Sequence, residues 1–311
     1  MSDQEVLEGG AARDAINEAG RRTTARRHLE QREHFEEISP ELGVLDESAF
    51  DDLLERQPDD ALALLADLTG ATDERLRHLA RRLAGRVMVD VARTGGALRP
   101  GLGRLGSSPI DWAEGDIDVD RSLDALTTWR RGGPPDRDGL HVVHWHRPAT
   151  SVCLLVDRSG SMGGDRLATA AVAASSVLYR VPDACSVVAF AEQSVAVVSQ
   201  QEYRSPDDVV VDLLRLRGFG VTNLDLALRT AGAQLDRAPA GRRITVLLSD
   251  CRATTGVDPT GAALRLDELV VIAPAGDSAD AESFAESVGA RWATVDGPMS
   301  VPDAFADVLG R

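Results

Sequence analysis

The stretch LLVDRSGSM, residues 154–162, decides the fold. Together with the residues before it, it forms an apolar run, Val152–Val156, with no polar alternation. Such a run marks a strand buried on both faces, as in a parallel sheet covered by helices. Asp157, Ser159 and Ser161 follow at alternate positions, and Gly160 and Gly163 allow a tight turn before the helical pattern that starts at Leu167. A carboxylate and two hydroxyls at the carboxyl end of a strand are hard oxygen donors. They suit Mg²⁺, which takes oxygen ligands and keeps several waters, and this edge is where open α/β sheets place their ligands.

Downstream, strands and helices alternate strictly, which predicts a doubly wound, mostly parallel sheet of α/β class. The buried-strand candidates are Val152–Val156, Ser186–Phe190, Ile244–Leu248, Leu269–Ala273 and Trp292–Val295. Helices are expected over Leu167–Tyr179, Pro206–Leu216, Asn223–Leu235, Pro259–Leu266, Ala279–Val288 and Pro302–Leu309. Ser194–Val198 reads as a short antiparallel partner of the second strand. Two later segments reach the same edge: GVTNL, residues 220–224, with Thr222 before a helix, and LLSDCRA, residues 247–253, with Asp250 at the end of a strand. In a doubly wound sheet the loops after Val156 and Leu248 are neighbours, so Asp157 and Asp250 are expected to face one ion.

The D-x-S-x-S triplet Asp157, Ser159, Ser161, with Thr222 and Asp250, resembles the metal-ion-dependent adhesion site (MIDAS) of von Willebrand factor A (VWA) domains at all five positions. The resemblance runs from about Thr150 to Arg311. It implies a Rossmann-like fold and one divalent metal, Mg²⁺ or Mn²⁺. Both serines and, in the engaged state, the threonine would bind it directly, the two aspartates largely through water, and a partner's carboxylate would fill the remaining position. Two positions depart from the pattern: Cys251 stands where a glycine usually follows the second aspartate, and Val221 replaces a glycine before the threonine. The leader GDIDVDRSL, residues 115–123, with the tryptophan-containing strand after it, resembles bacterial cytosolic VWA proteins that work beside AAA+ ATPases of MoxR or chelatase type. That resemblance implies a non-catalytic adaptor that grips an acidic residue of the ATPase or of its client protein, or a VWA subunit of a metal chelatase complex.

Upstream, residues 1–40 are charged and read as a flexible or helical arm, with the cluster Arg21, Arg22, Arg26, Arg27 on a solvated face. Residues 41–149 read as a helical region with short strands packed on the VWA domain, which spans 150–311. Helical spacing from Phe50 to Arg93 predicts two or three helices broken at Pro58 and Thr69–Thr72. Dense glycine between Thr94 and Ser108 argues for a loop, and Gly115–Asp120 and Leu140–Trp145 read as strands.

Composition narrows the function. All 34 basic residues are arginine, so a Walker A loop and Schiff-base chemistry lack their lysine. A formal net charge of −16 opposes nucleic acid and anionic membranes as partners. No export-signal or membrane-span pattern stands out, and Cys153, Cys185 and Cys251 are too few for a disulfide framework, so a cytoplasmic location is expected. A phosphotransfer enzyme with Asp157 as nucleophile is the competing reading. It lacks a second aspartate, because Ser159 occupies that position, and it lacks the lysine. His141, His144 and His146 read as strand residues rather than a zinc set, because His141 does not share the face of the other two. Calorimetric titration with Mn²⁺ is expected to find one weak site, abolished by Asp157→Ala; equal binding by both proteins would refute the assignment.

Overall fold

The computed structural model describes residues 6–94, 104–111, 115–133, 137–146, 150–158, 163–218, 220–238 and 241–309. The chain divides into two compact units, Met1–Leu98 with Thr150–Arg311, and Arg99–Ala149. The segment expected as one region, 41–149, is therefore shared between them.

The larger unit begins with β1 (Val6–Leu7) and α1 (Gly9–Ala19), followed by the short helices α2 (Arg26–Leu29) and α3 (Phe35–Ile38). Within the charged stretch expected as an arm, Ala12, Ile16, Leu29, Phe35 and Ile38 are buried, enough apolar surface to fix it to the core. Three longer helices follow, α4 (Glu47–Arg56), α5 (Pro58–Leu68) and α6 (Glu74–Thr94). Asp46 caps α4 by accepting from the Ser48 and Ala49 amides, and Pro58 opens α5, where its missing N–H costs nothing.

In the smaller unit, β2 (Arg104–Pro109) and β3 (Asp116–Ile117) flank β4 (His141–His146) as antiparallel neighbours, and α7 (Leu123–Arg130) lies between β3 and β4 in sequence. Part of the stretch expected as a glycine-rich loop is therefore a strand. Pairing with β4 supplies the hydrogen bonds, so the low strand propensity of glycine does not decide the outcome. His144 Nε2 sits 2.9 Å from Ser108 Oγ, a strand-to-strand contact.

The larger unit resumes with β5 (Thr150–Asp157), α8 (Gly164–Arg180), β6 (Cys185–Phe190), β7 (Ser194–Val198), α9 (Pro206–Arg215) and α10 (Leu224–Leu235). It ends with β8 (Arg242–Leu248), α11 (Thr260–Ala263), β9 (Glu268–Pro274), α12 (Ala279–Val288), β10 (Arg291–Val295) and α13 (Val301–Leu309). The strand order is β1-β7-β6-β5-β8-β9-β10. β6, β5, β8, β9 and β10 run parallel, and β7 is antiparallel to β6, as its hairpin reading predicts. Chain order moves outward from β5 in one direction to β6 and in the other from β8 onward, so the topological switch lies between β5 and β8.

The period of two sorts β5 between two cores. Val152, Leu154 and Val156 join one apolar cluster with α5, α6, α8, α9 and α13, whereas Cys153 and Leu155 join another with α10, α11 and α12. Helix α8 is apolar almost all round, with Leu167, Ala168, Ala170, Ala171, Val172, Ala173 and Ala174 buried, and such a helix needs cover on its outer side too. Helices α5 and α6 supply that cover. Contact is so close that a Cβ on Gly164 would stand 2.1 Å from the Ala63 carbonyl oxygen, on backbone that cannot swing away. Among the described residues, no helix is long and apolar enough to cross a membrane. In urea titrations Gly164→Ala is expected to lower stability by about 1–3 kcal/mol through overpacking, while Gly261→Ala, whose Cβ would meet nothing within 4 Å, leaves the midpoint near that of the parent.

Candidate metal centre

The β5–β8 register places the site. Val156 pairs with Leu248, so Asp157 and Ser249 follow side by side at the carboxyl edge of the switch point. Ser249 Oγ donates to Asp157 Oδ2 at 2.6 Å and accepts from the Cys251 amide at 2.9 Å. One hydroxyl thus joins the carboxylate at the end of β5 to the turn that carries Asp250. Ser249 itself is held by its amide, which donates to the Ile272 carbonyl of β9 at 3.1 Å.

The turn after Asp250 has a left-handed residue at Cys251, φ 61°, where the family pattern has glycine. A cysteine there pays a steric cost that glycine would not. Its thiol packs in the apolar cluster under α10, and burial, with the Asp157 and Asp250 charges, pushes it up to about 12.

Thr222 arrives from the other side. The Asn223 amide donates to the Ala191 carbonyl, just past β6, at 2.8 Å, and the Asn223 side chain caps α10 by accepting from Leu226 N. The Thr222 amide donates to Thr254 Oγ1 at 2.7 Å, and its carbonyl accepts from the amides of Thr254 and Thr255 at 3.1 and 3.2 Å. These bonds stitch the Thr222 segment to the loop that follows Asp250. Gly256, φ 95°, keeps that loop close, since a Cβ there would lie 2.5 Å from Asn223 Oδ1. Thr222 is buried, and Asp157 and Asp250 are partly exposed.

Asp250 also carries a cationic neighbour. Arg166 Nη1 approaches its Oδ2 at 3.5 Å while Nη2 reaches Asp277 Oδ2 at 3.4 Å, and the Arg252 amide donates to Asp250 Oδ1 at 3.1 Å. Asp157, Arg166, Ser249 and Asp250 border a cleft of about 110 Å³ whose floor includes Val156, Leu248 and Val295.

The structure therefore brings Asp157, Thr222 and Asp250 to one edge; Ser159 and Ser161 lie outside the described residues. Among the described residues, no three His, Cys, Asp or Glu side chains converge as a metal cluster. The donors that do meet are two carboxylates and hydroxyls. Such neutral and anionic oxygens fit a hard divalent cation. Ser249 is the residue that sequence reasoning passed over. Its signal is parity: it follows Leu247 on the same face of β8, as Asp157 follows Leu155 on β5.

Ser249→Ala removes one hydroxyl from both Asp157 and the Cys251 amide. Urea unfolding should show a loss of about 1 kcal/mol, and Mn²⁺ titration a weakening of about tenfold, the usual scale for a lost outer hydrogen bond to a ligand. Unchanged Mn²⁺ affinity in a folded variant would contradict the role.

A family model described as von Willebrand factor type A domain matches residues 152–253, the stretch that holds β5, the Thr222 segment and Asp250. The uncharacterized protein sll0103 of Synechocystis sp. is 30% identical over 119 residues, which cover 35% of this chain and 27% of that protein. The match thus spans about a quarter of the curated relative's length. Among solved structures, the von Willebrand factor type A protein of Catenulispora acidiphila aligns at 19% identity over 55% of this chain and 43% of that one, TM-score 0.43. The manganese-loaded TRAP protein of Plasmodium vivax aligns at 16% identity over 52% of this chain and 74% of that one, TM-score 0.42. With the matched stretch forming the centre of the doubly wound sheet, the chain carries a VWA-type α/β domain.

Proposed function

We propose that this domain is a metal-dependent protein-binding module, with no catalytic site of its own, that grips an acidic residue of a partner. The observation that carries the reading is the junction of Asp157, Thr222 and Asp250 at the switch point, tied together by Ser249 and Thr254. Asp157, Ser159, Ser161, Thr222 and Asp250 would hold Mg²⁺ or Mn²⁺. When bound, the ion supplies an electrophilic centre for a carboxylate.

The chain's own residues set the terms of that contact. Serine and threonine hydroxyls are neutral donors, so only Asp157 and Asp250 offset the ion's charge, and Arg166 already draws on Asp250. The result favours a further anionic ligand. A partner's Asp or Glu meets that need in a partly desolvated contact. Ser249 keeps Asp157 oriented, and the bonds between Thr222 and Thr254–Thr255 keep the threonine segment from withdrawing.

The partner we propose is an AAA+ ATPase of MoxR or chelatase type, or that ATPase's client, on the resemblance of the leader GDIDVDRSL and of the metal motif. Three free, buried cysteines fit a reducing compartment such as the cytoplasm. The test is a pull-down of a co-encoded AAA+ ATPase and its client with Mg²⁺ or EDTA, on the parent and on Ser159→Ala/Ser161→Ala. Binding should fall at least about tenfold, or about 1.4 kcal/mol, in EDTA and in the variant, with circular dichroism unchanged. Metal-independent binding by a folded variant would rule the mechanism out.

A further inference from the structure

Away from the metal edge, α6 and α9 border an open cavity of about 310 Å³ lined by Arg77, His78, Arg81, Arg82 and Arg215, with Glu74 as its one acidic residue. In a chain with 50 acidic against 34 basic residues, four guanidinium groups around one hollow concentrate positive charge, which Glu74 in the lining and the partners Glu47 and Asp212 offset only in part. Arg81 registers it: burial, then the charges of Arg215, Arg77 and Arg217, push it down to about 10, with Asp212 opposing.

Part of this cluster has a structural task. Arg77 Nη1 donates to the Ala71 carbonyl at 2.9 Å and Arg81 Nε to the Thr69 carbonyl at 3.1 Å, which closes the carboxyl end of α5. Arg215 Nη1 donates to Asp212 Oδ1 at 3.0 Å, and Arg82 Nη2 lies 3.6 Å from Glu47 Oε1. Each of these bonds engages one nitrogen of a guanidinium that has five N–H donors. Capping thus accounts for the anchoring of the side chains and leaves donors at the cavity, held in place in advance.

We propose that this cavity is an anion-binding site that takes a compact phosphate-bearing ligand, held by Arg77, His78, Arg81, Arg82 and Arg215. A single carboxylate has two oxygens, too few for four guanidinium groups. A phosphate carries three terminal oxygens and up to two charges, and matches the guanidinium fork. Nucleic acid is a poor fit, because the hollows that continue past Val211 are of mixed charge, with Glu47, Asp207 and Asp208 among Arg81, Arg82 and Arg86 on one side and Asp208 and Asp212 among Arg13, Arg204 and Arg215 on the other. Carboxylates interleaved with the arginines break any continuous cationic track for an extended polyanion, whereas the four guanidinium groups of the cavity suit an isolated anionic group. The site lies on elements other than those bearing Asp157, Thr222 and Asp250, and its argument is independent of the metal reading.

Sodium pyrophosphate is titrated calorimetrically into the full chain in EDTA, at ionic strength matched with sodium chloride, so that no divalent ion bridges the anion to the metal edge. The parent should bind, and His78→Gln/Arg82→Gln, both exposed positions, should bind at least about tenfold more weakly with an unchanged thermal midpoint. Should the pair unfold, Arg82→Gln alone is read in the same way. A phosphoserine peptide that binds more tightly than pyrophosphate assigns the source as a phosphorylated protein; the reverse order assigns a free polyphosphate, and either supports the site. No binding by the parent, equal binding by the folded variant, or equally tight binding of triglutamate would overturn the proposal.

Discussion

The hydrogen bond from Ser249 Oγ to Asp157 Oδ2, 2.6 Å long, is possible only in one register of β5 against β8. Slipping β5 by one residue would turn Asp157 to the other face and place Val156 beside Ser249, because side chains alternate. That register is enforced far from the site. Val152, Leu154 and Val156 fill one core while Cys153 and Leu155 fill the other, and Ile244, Val246 and Leu248 of β8 do the same beside them. The buried apolar residues of the two central strands therefore favour the arrangement that sets Asp157 next to the Asp250 turn.

The amino-terminal helices serve that arrangement. Helix α8 begins just beyond the Asp157 segment and is too apolar to face water, so α5 and α6 must cover it. Arg217 extends the link: its Nη2 donates to the Ala66 and Asp67 carbonyls at 2.9 and 2.8 Å, tying the end of α5 to the loop that leads toward Thr222. Arg180 does the same at the opposite end, reaching the Ala92 carbonyl of α6 and the Pro302 carbonyl of α13 at 3.3 and 3.1 Å. The carbonyls of Ala66, Asp67 and Ala92 lie in the last turns of α5 and α6, where they lack intrahelical partners, and guanidinium groups satisfy them. The helical region is part of the same folding unit as the sheet, not a separate support for it.

The sheet was legible because its strands are continuous valine, isoleucine and leucine runs bounded by turns, and Asp157, Thr222 and Asp250 were legible because each closes such a run or opens a helix. What escaped has a physical reason in each case. Val6–Leu7 is two residues long, too short to carry a period, and gains its strand form by pairing with β7. Arg104–Pro109 is glycine- and proline-bearing and becomes a strand through β4. Leu123–Arg130 mixes threonines and a tryptophan that mask the helical spacing. Ser249 belongs to no motif of its own and gains its role from the register that sets it against Asp157, and Cys251 shows that the turn forms without glycine, since it holds φ at 61°.

The central claim is that the β5–β8 edge is built to hold a cation between Asp157, Thr222 and Asp250. Crystals of the full chain grown with MnCl₂ and measured at a wavelength where manganese scatters anomalously test it most directly. The account predicts a single strong anomalous peak at that edge, within direct or water-bridged reach of all three residues. A peak elsewhere on the molecule, or none at the edge in a structure that is otherwise well ordered there, would contradict it.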